Sequence, residues 1–401
     1  MQQKIVHAGV NSLSSQQASR DLAELSDLKV APKPVERLVR RIGQERVAQR
    51  DAAVAAHKRL PLMAKDAVAN PTRSSPSVAM VSVDGGRMQI RSEPSQPRQD
   101  GHWRESKVAV LETYQSDTHR ADPDPDVPHC FLDLKRTKEM VRGLGHALPV
   151  GLEFEGEDRT GTRDEAAVKG RSRKPRPGRP DRLVRSVLAS RKCTEEFGPM
   201  MHQAAWGRNF FGADRQAFLG DGLAANWTIQ RRHFASFTPV LDFVHALSYV
   251  FSAAFAGRPQ SEGEEVYKRW IQAVWSGQVA TILTELEARS AGLGSPPSEC
   301  ADSDPRALVF ESVRYLKNNA DRMRYDQYRR QGLPMMTSAV ESVIKMMNKR
   351  VKGSEKFWSE PGAEAILQLR ADYLGETETM SRYWFEREAQ VSSHRPYRRA
   401  A

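Results

Sequence analysis

Cysteine is scarce: Cys130, Cys193 and Cys300 are the only three in 401 residues, and no two form a CxxC pair. That excludes a disulfide frame and a thiolate zinc site, and it predicts reduced, incidental thiols in a reducing compartment. Long apolar runs are missing too. The longest weakly polar stretch, Phe243 to Ala256, is too short to cross a bilayer and holds His245 in its middle. Met1-Gln2-Gln3-Lys4 leads into no apolar segment, so no signal peptide is expected and the chain reads as soluble and cytosolic. Acidic residues are in deficit, 50 Asp and Glu against 61 Lys and Arg, for a net charge of +11. Such a surplus favours a polyanionic partner through counterion release, without naming the fold. Aromatic residues make up only 7% of the chain, yet seven Trp, fourteen Phe and nine Tyr can anchor a core. Wholesale disorder is therefore excluded despite a mean hydropathy of −0.61. A length of 401 residues suggests two or three folding units.

The pattern along the chain separates into distinct segments. Ser14 to about His57 reads as helical. Ser14 or Ser15 can cap a helix carrying Ala18, Leu22, Ala23 and Leu25. Pro32 and Pro34 then stand where a second helix opens, with Val35, Leu38, Val39 and Ile42 on one face. Its other face shows Arg37, Arg40, Arg41, Arg46 and Arg50. Helix, short turn and basic helix is the layout of a helix-turn-helix DNA reader, and equally of any small helical hairpin with a solvated basic face. Residues 67–77, rich in Pro, Ser and Asn, form a linker.

Strand-like runs begin at Val78 to Val83, which end at Asp84-Gly85-Gly86, with Met88 and Ile90 as a hairpin partner and Lys107 to Tyr114 as a further strand. A helix is expected over Leu132 to Leu148. Residues 153–180 hold few large apolar side chains. Within them, Arg171, Arg173, Lys174, Arg176 and Arg179 stand among prolines and glycine, as a basic loop open to phosphates or as solvated filler. Leu183 to Arg208 reads as helix, Gln216 to Gly222 as a strand ending in an acid and a glycine turn, and Pro239 to Asp242 as another short strand. Helices are expected over Phe243–Phe255, Val266–Ser290, Ala307–Tyr328, Ala339–Met347 and Ala363–Leu374, with a frayed Ser/Arg-rich end.

Three acids stand out by context. Asp84 and Asp221 end strand-like runs beside glycines, and Glu341 lies in a helix opening after Gly332 to Ser338. Carboxylates at strand ends can converge on one sheet edge, with a third supplied by a packed helix. Hard oxygen ligands that leave open coordination positions suit two Mg²⁺ ions. Taken singly each is weak, because Asp-Gly is a common turn. Asp242 and His245 follow a strand. Either could touch DNA or orient a ligand, and the plainer readings are a helix cap for Asp242 and a satisfied core side chain for His245. Trp103 and Trp227 could stack on a base, but core packing is the commoner use. Arg87 and Lys107 flank the strand ends, either holding phosphates or simply solvated.

Several stretches in order carry a resemblance. They are Val81-Ser82-Val83-Asp84-Gly85-Gly86-Arg87, Trp103-Arg104-Glu105-Ser106-Lys107-Val108, Gly220-Asp221-Gly222 with Asn226-Trp227, Val240 to Leu247, Ala339-Val340-Glu341-Ser342 and Phe357 to Ala365. Across Ser14 to Leu374 the sequence resembles the DDE transposases of bacterial insertion sequences, of the ISKra and ISLre type. The resemblance implies an α/β fold with a ribonuclease H-like mixed five-stranded sheet flanked by helices. It divides the chain into a helix-turn-helix-like segment (1–66), a first core part (78–242), an all-α insertion (243–330), the last core helices (331–375) and a tail (376–401). It makes Asp84, Asp221 and Glu341 the metal-binding catalytic triad, with two Mg²⁺ ions and Mn²⁺ able to substitute. Metal-dependent cleavage and strand transfer of an element's ends would follow. Double-stranded DNA is the implied partner, touched by Arg37, Arg40, Arg41, Arg171, Arg173, Lys174, Arg176, Lys349 and Arg350. A homodimer or higher oligomer in the bacterial cytoplasm, at the nucleoid, is implied as well. The alternatives are a catalytically inactive DNA-binding remnant, or a nuclease on the same fold that cuts but does not join.

Overall fold

The computed structural model describes residues 1–65, 67, 69, 74–91, 102–154, 179–336, 338–353 and 355–392. Helices α1 (Gln2–Asn11), α2 (Ser15–Ser26) and α3 (Pro32–Lys58) open the chain. Ser14 caps α2, its hydroxyl accepting from the Gln17 N–H at 3.1 Å. A short α4 (Leu62–Lys65) precedes the first strands, β1 (Val78–Ile90) and β2 (Trp103–Gln115). After α5 (His129–Leu132) and α6 (Leu134–Gly143) come β3 (Asp181–Ser190), α7 (Thr194–Trp206), β4 (Arg215–Gly220), α8 (Ala224–His233) and β5 (Thr238–Leu241). Then α9 (Phe243–Phe255), α10 (Gln260–Trp275), α11 (Val279–Leu293), α12 (Pro305–Asn319) and α13 (Tyr325–Arg330) follow one another with no strand between them. The chain closes with α14 (Ser338–Val351), β6 (Phe357–Trp358), α15 (Glu360–Leu374) and α16 (Thr379–Ser392).

The strands make one mixed six-stranded sheet in the order β3-β2-β1-β4-β5, with β6 against β1. Pairs β1–β2 and β2–β3 are antiparallel, whereas β4 and β6 run parallel to β1 and β5 parallel to β4. One strand more than expected arises because β1 is thirteen residues long. Its free edge takes β4 along Val78 to Ser82 and β6 at Gln89 and Ile90, leaving Val83 to Met88 without a neighbour on that side.

Strand β2 is buried on both faces, and its side chains alternate between two cores. Ala109 and Leu111 join the aromatic-rich core beneath α7 to α13, and Val108 and Val110 join the core shared with α1–α3 and α14–α16. Val35, Val39 and Ile42, the apolar face read from the sequence, lie in the second core with Ile366 and Leu367. Helix α3 approaches α15 closely at Gly43, where a Cβ would stand 2.6 Å from that of Ala365.

Four local expectations are corrected. Val78–Val83 and Met88–Ile90 are one strand rather than a hairpin, and Asp84 lies inside it opposite Val108. Leu183 to Arg208 is not a helix: β3 fills Asp181–Ser190, and α7 starts at Thr194. Leu183, Val184, Val187 and Leu188 suit either period, and pairing with β2 decides for strand. The helix expected over Val266–Ser290 is two, broken at Gly277, whose φ of 72° suits glycine. The one expected over Ala307–Tyr328 ends at Asn319, turns once through Ala320–Arg322, and resumes as α13.

Candidate functional site

Beyond the last β1–β4 pair, Ser82 with Leu219, the two parallel strands separate. Asp84 stands on β1 just past that point, and Asp221 on the turn that leaves β4. Glu341 occupies the first turn of α14. All three acids line one cleft of about 900 Å³, together with His245, Tyr249, Tyr315 and Lys345. Carboxylates far apart in the chain thus share a concave, half-buried space.

Each is held differently. Asp84 Oδ1 accepts from the Gly85 N–H at 2.6 Å. Asp221 Oδ1 accepts from the Leu223 N–H at 3.0 Å and from Asn226 Nδ2 at 2.8 Å. The Asp221 carbonyl takes the Tyr315 hydroxyl at 2.6 Å. The Tyr315 ring fills the space beside Gly222, whose φ is 99° and whose Cβ would stand 2.5 Å from Tyr315 Cε2. Tyr315 also stacks on Tyr249, centroids 3.7 Å apart. The turn bearing Asp221 is therefore braced from α12. Glu341 has Lys345 one turn on, at 3.8 Å.

Asp242 caps α9 as its sequence context predicted, its Oδ1 accepting from the Val244 N–H at 2.7 Å and the His245 N–H at 3.1 Å. The same oxygen faces His245 Nδ1 at 3.3 Å. The capping bond pins the ring, and His245 lines the cleft rather than filling a core. Sequence reasoning favoured a core role because no spacing rule separates the two uses. Its one signal was adjacency to an Asp at a strand end.

The charges in the cleft are strongly coupled. Burial raises the Asp84 carboxyl to about 6, helped by the negative charges of Asp221 and Glu341 and opposed by the Gly85 N–H and His245. Burial and Asp242 likewise raise Glu341, against Lys345 and His245. Burial alone would lower His245. The hydrogen bond and charge of Asp242, with Asp221 and Asp84 beyond, outweigh that and lift it to about 9. At neutral pH the cleft thus holds an imidazolium among carboxylates, an arrangement that an added cation would relieve. The donors are hard oxygens of the kind Mg²⁺ prefers. They do not form a ready-made chelate: among the described residues, no three His, Cys, Asp or Glu side chains are grouped closely enough to hold a metal ion.

The basic residues divide. Arg37, Arg40 and Arg41 are exposed on α3. Arg46 and Arg50, read as part of the same face, are instead used inside the fold. Arg46 Nε pairs with Asp372 at 2.9 Å, and Arg50 Nη1 with Glu364 at 2.8 Å. Lys349 is exposed near the end of α14, whereas Arg350 is buried, Nε donating to the Gly9 carbonyl at 3.1 Å. An exposed phosphate contact was expected there, but α14 packs on α15, β1 and β2, and the side chain turns inward to the α1 carbonyl. Arg171, Arg173, Lys174 and Arg176 lie outside the described residues. Trp227 is core, 4% exposed, its indole N–H donating to Asn319 at 3.0 Å. Trp103 is exposed, with Lys352 above its ring. Lys107 is tied to Glu105 at 2.8 Å, and Arg87 is exposed. Among the described residues, no helix is long and apolar enough to cross a membrane. In comparisons with known proteins, no family model matches the chain, and no curated protein sequence matches it either.

Proposed function

We propose that the protein is a DDE-type transposase that cuts DNA at the ends of an insertion sequence and joins them to a target. The observation that carries this reading is the sharing of one cleft by Asp84, Asp221 and Glu341. Further support comes from the sheet. A core strand paired antiparallel to β2 and parallel to β4 agrees with a ribonuclease H-like core, and a helix-only tract before Glu341 agrees with the insertion.

The three carboxylates would hold two Mg²⁺ ions, or Mn²⁺ in their place. Bound there, such ions supply Lewis acidity at the scissile phosphate and ease deprotonation of the attacking water or 3′-hydroxyl. The chain's own residues do the positioning. Asn226 and the Leu223 N–H occupy one Asp221 oxygen and orient the other, while Tyr315 fixes the turn beneath it. His245, protonated and held by Asp242, offers a donor beside the developing phosphate charge. Lys345 and the exposed Lys349 extend positive charge from the cleft along α14, where a DNA strand would run. Pairing two DNA ends calls for a homodimer or larger assembly.

The test uses duplexes of the DNA flanking the reading frame, with Mg²⁺, with Mn²⁺ and with a chelator. Wild type is expected to nick them only with metal. Asp84→Asn, Asp221→Asn and Glu341→Gln should each abolish nicking while leaving DNA affinity largely intact. Retained turnover in one variant removes that residue from the site. Binding without metal-dependent nicking in wild type replaces the enzyme with a DNA-binding remnant.

A further inference from the structure

A second concave site lies away from the carboxylate cleft, where α3, the end of β1, β6 and the start of α15 meet. It encloses about 430 Å³ and is lined by Arg40, Arg91, Arg350 and Lys356, with Trp358 as an aromatic wall. Two acids share it, Glu355 and Glu36, the latter already paired with Lys33 at 2.9 Å. The cations are therefore in excess.

Arg350 is the unusual member. It is only 7% exposed, yet no carboxylate stands within ion-pair range of it among the described residues. Its Nε serves the Gly9 carbonyl, and its guanidinium lies 5.2 Å from the centre of the Trp358 ring. A buried arginine without a counter-ion is costly. Burial and the charge of Arg370, opposed by Glu36, lower its pKa to about 10, and burial with Arg350 lowers that of Lys356. Among the described residues, Lys356 donates to a main-chain oxygen, that of Lys349, at 3.1 Å. The start of α15, at Ser359 and Gly362, adds the positive end of a helix dipole to the same space. Five cations, Lys33, Arg40, Arg91, Arg350 and Lys356, against two acids in one walled space describe a site with charge left over for an anion.

We infer that this pocket binds a phosphate group of the DNA backbone, gripped by Arg40, Arg91, Arg350 and Lys356 at a point separate from the carboxylate cleft. The inference rests on the DNA-binding part of the proposed function and not on its chemistry. It would anchor the duplex to the junction of the N-terminal helices and the sheet.

The experiment measures the affinity of the full chain for duplex DNA at several salt concentrations. It compares wild type, Arg91→Gln/Lys356→Gln, and the control Lys268→Gln/Lys317→Gln, which removes equal charge from exposed positions on the helical tract. Losing one phosphate contact should lower the slope of log affinity against log salt by about 0.9 in the pocket variant and leave the control near wild type. Equal slopes in the two variants would overturn the site. A parallel titration with inorganic phosphate, followed by Trp358 fluorescence against Trp358→Phe, separates sources. A response to DNA and none to millimolar phosphate supports a backbone contact. Saturation by inorganic phosphate, with an unchanged DNA slope, replaces it with a free-anion site. Nicking is not read here, so failure of the pocket and failure of the catalytic assignment are distinguished.

Discussion

Replacing Asp84 with Asn should make the protein more stable at neutral pH while disabling it. Asp84 is pushed from 3.8 to about 6 because burial and the neighbouring carboxylates disfavour its charge. The folded state therefore holds a proton that the unfolded chain releases between these values. Stability falls as pH rises through that window, and the loss is complete above pH 6. At about 1.4 kcal/mol per pH unit, the penalty at pH 7.5 is roughly 3 kcal/mol. Asn is neutral throughout and keeps an oxygen to accept the Gly85 N–H. The variant should exceed wild type by about 3 kcal/mol at pH 7.5 and by only about 1 kcal/mol at pH 4.5. Urea unfolding followed by tryptophan fluorescence at both values measures the difference, and the comparison cancels the groups remote from Asp84. Mg²⁺ at pH 7.5 should narrow the gap by stabilising wild type alone. A gain that is absent, or equal at the two pH values, refutes the picture of a desolvated, crowded carboxylate. A gap insensitive to Mg²⁺ would remove Asp84 from the metal ligands.

Two further outcomes follow from the same geometry. Gly222→Ala forces a Cβ into the left-handed region and against Tyr315, 2.5 Å away, so it should cost about 1–3 kcal/mol and disturb nicking through Asp221. A variant with unchanged melting and turnover would show that the turn is not braced. Deleting Arg171 to Arg179 removes five cations and should flatten the salt dependence of DNA binding, and an unaltered slope would return that segment to filler.

Much of this protein is legible in its sequence. Asp242 at the start of α9, Ser14 at the start of α2 and the apolar stripe Val35–Val39–Ile42 are local matters, because capping and periodicity act within a turn or two of chain. The order of motifs likewise singled out Asp84, Asp221 and Glu341. Tertiary structure decided the rest. Leu183 to Ser190 is strand because β2 offers an edge, and that partner is some seventy residues upstream in the chain. Arg46, Arg50 and Arg350 read as one kind of basic residue with Arg37 and Arg41. Arg46 and Arg50 pair with Asp372 and Glu364 while Arg350 turns its Nε to the Gly9 carbonyl, and only the fold assigns those partners. His245 became a cleft residue because Asp242, one turn away, pins its ring toward Asp84 and Asp221. Burial and charge pairing are sums over neighbours remote in sequence, so a linear reading names the residues without saying which of them meet.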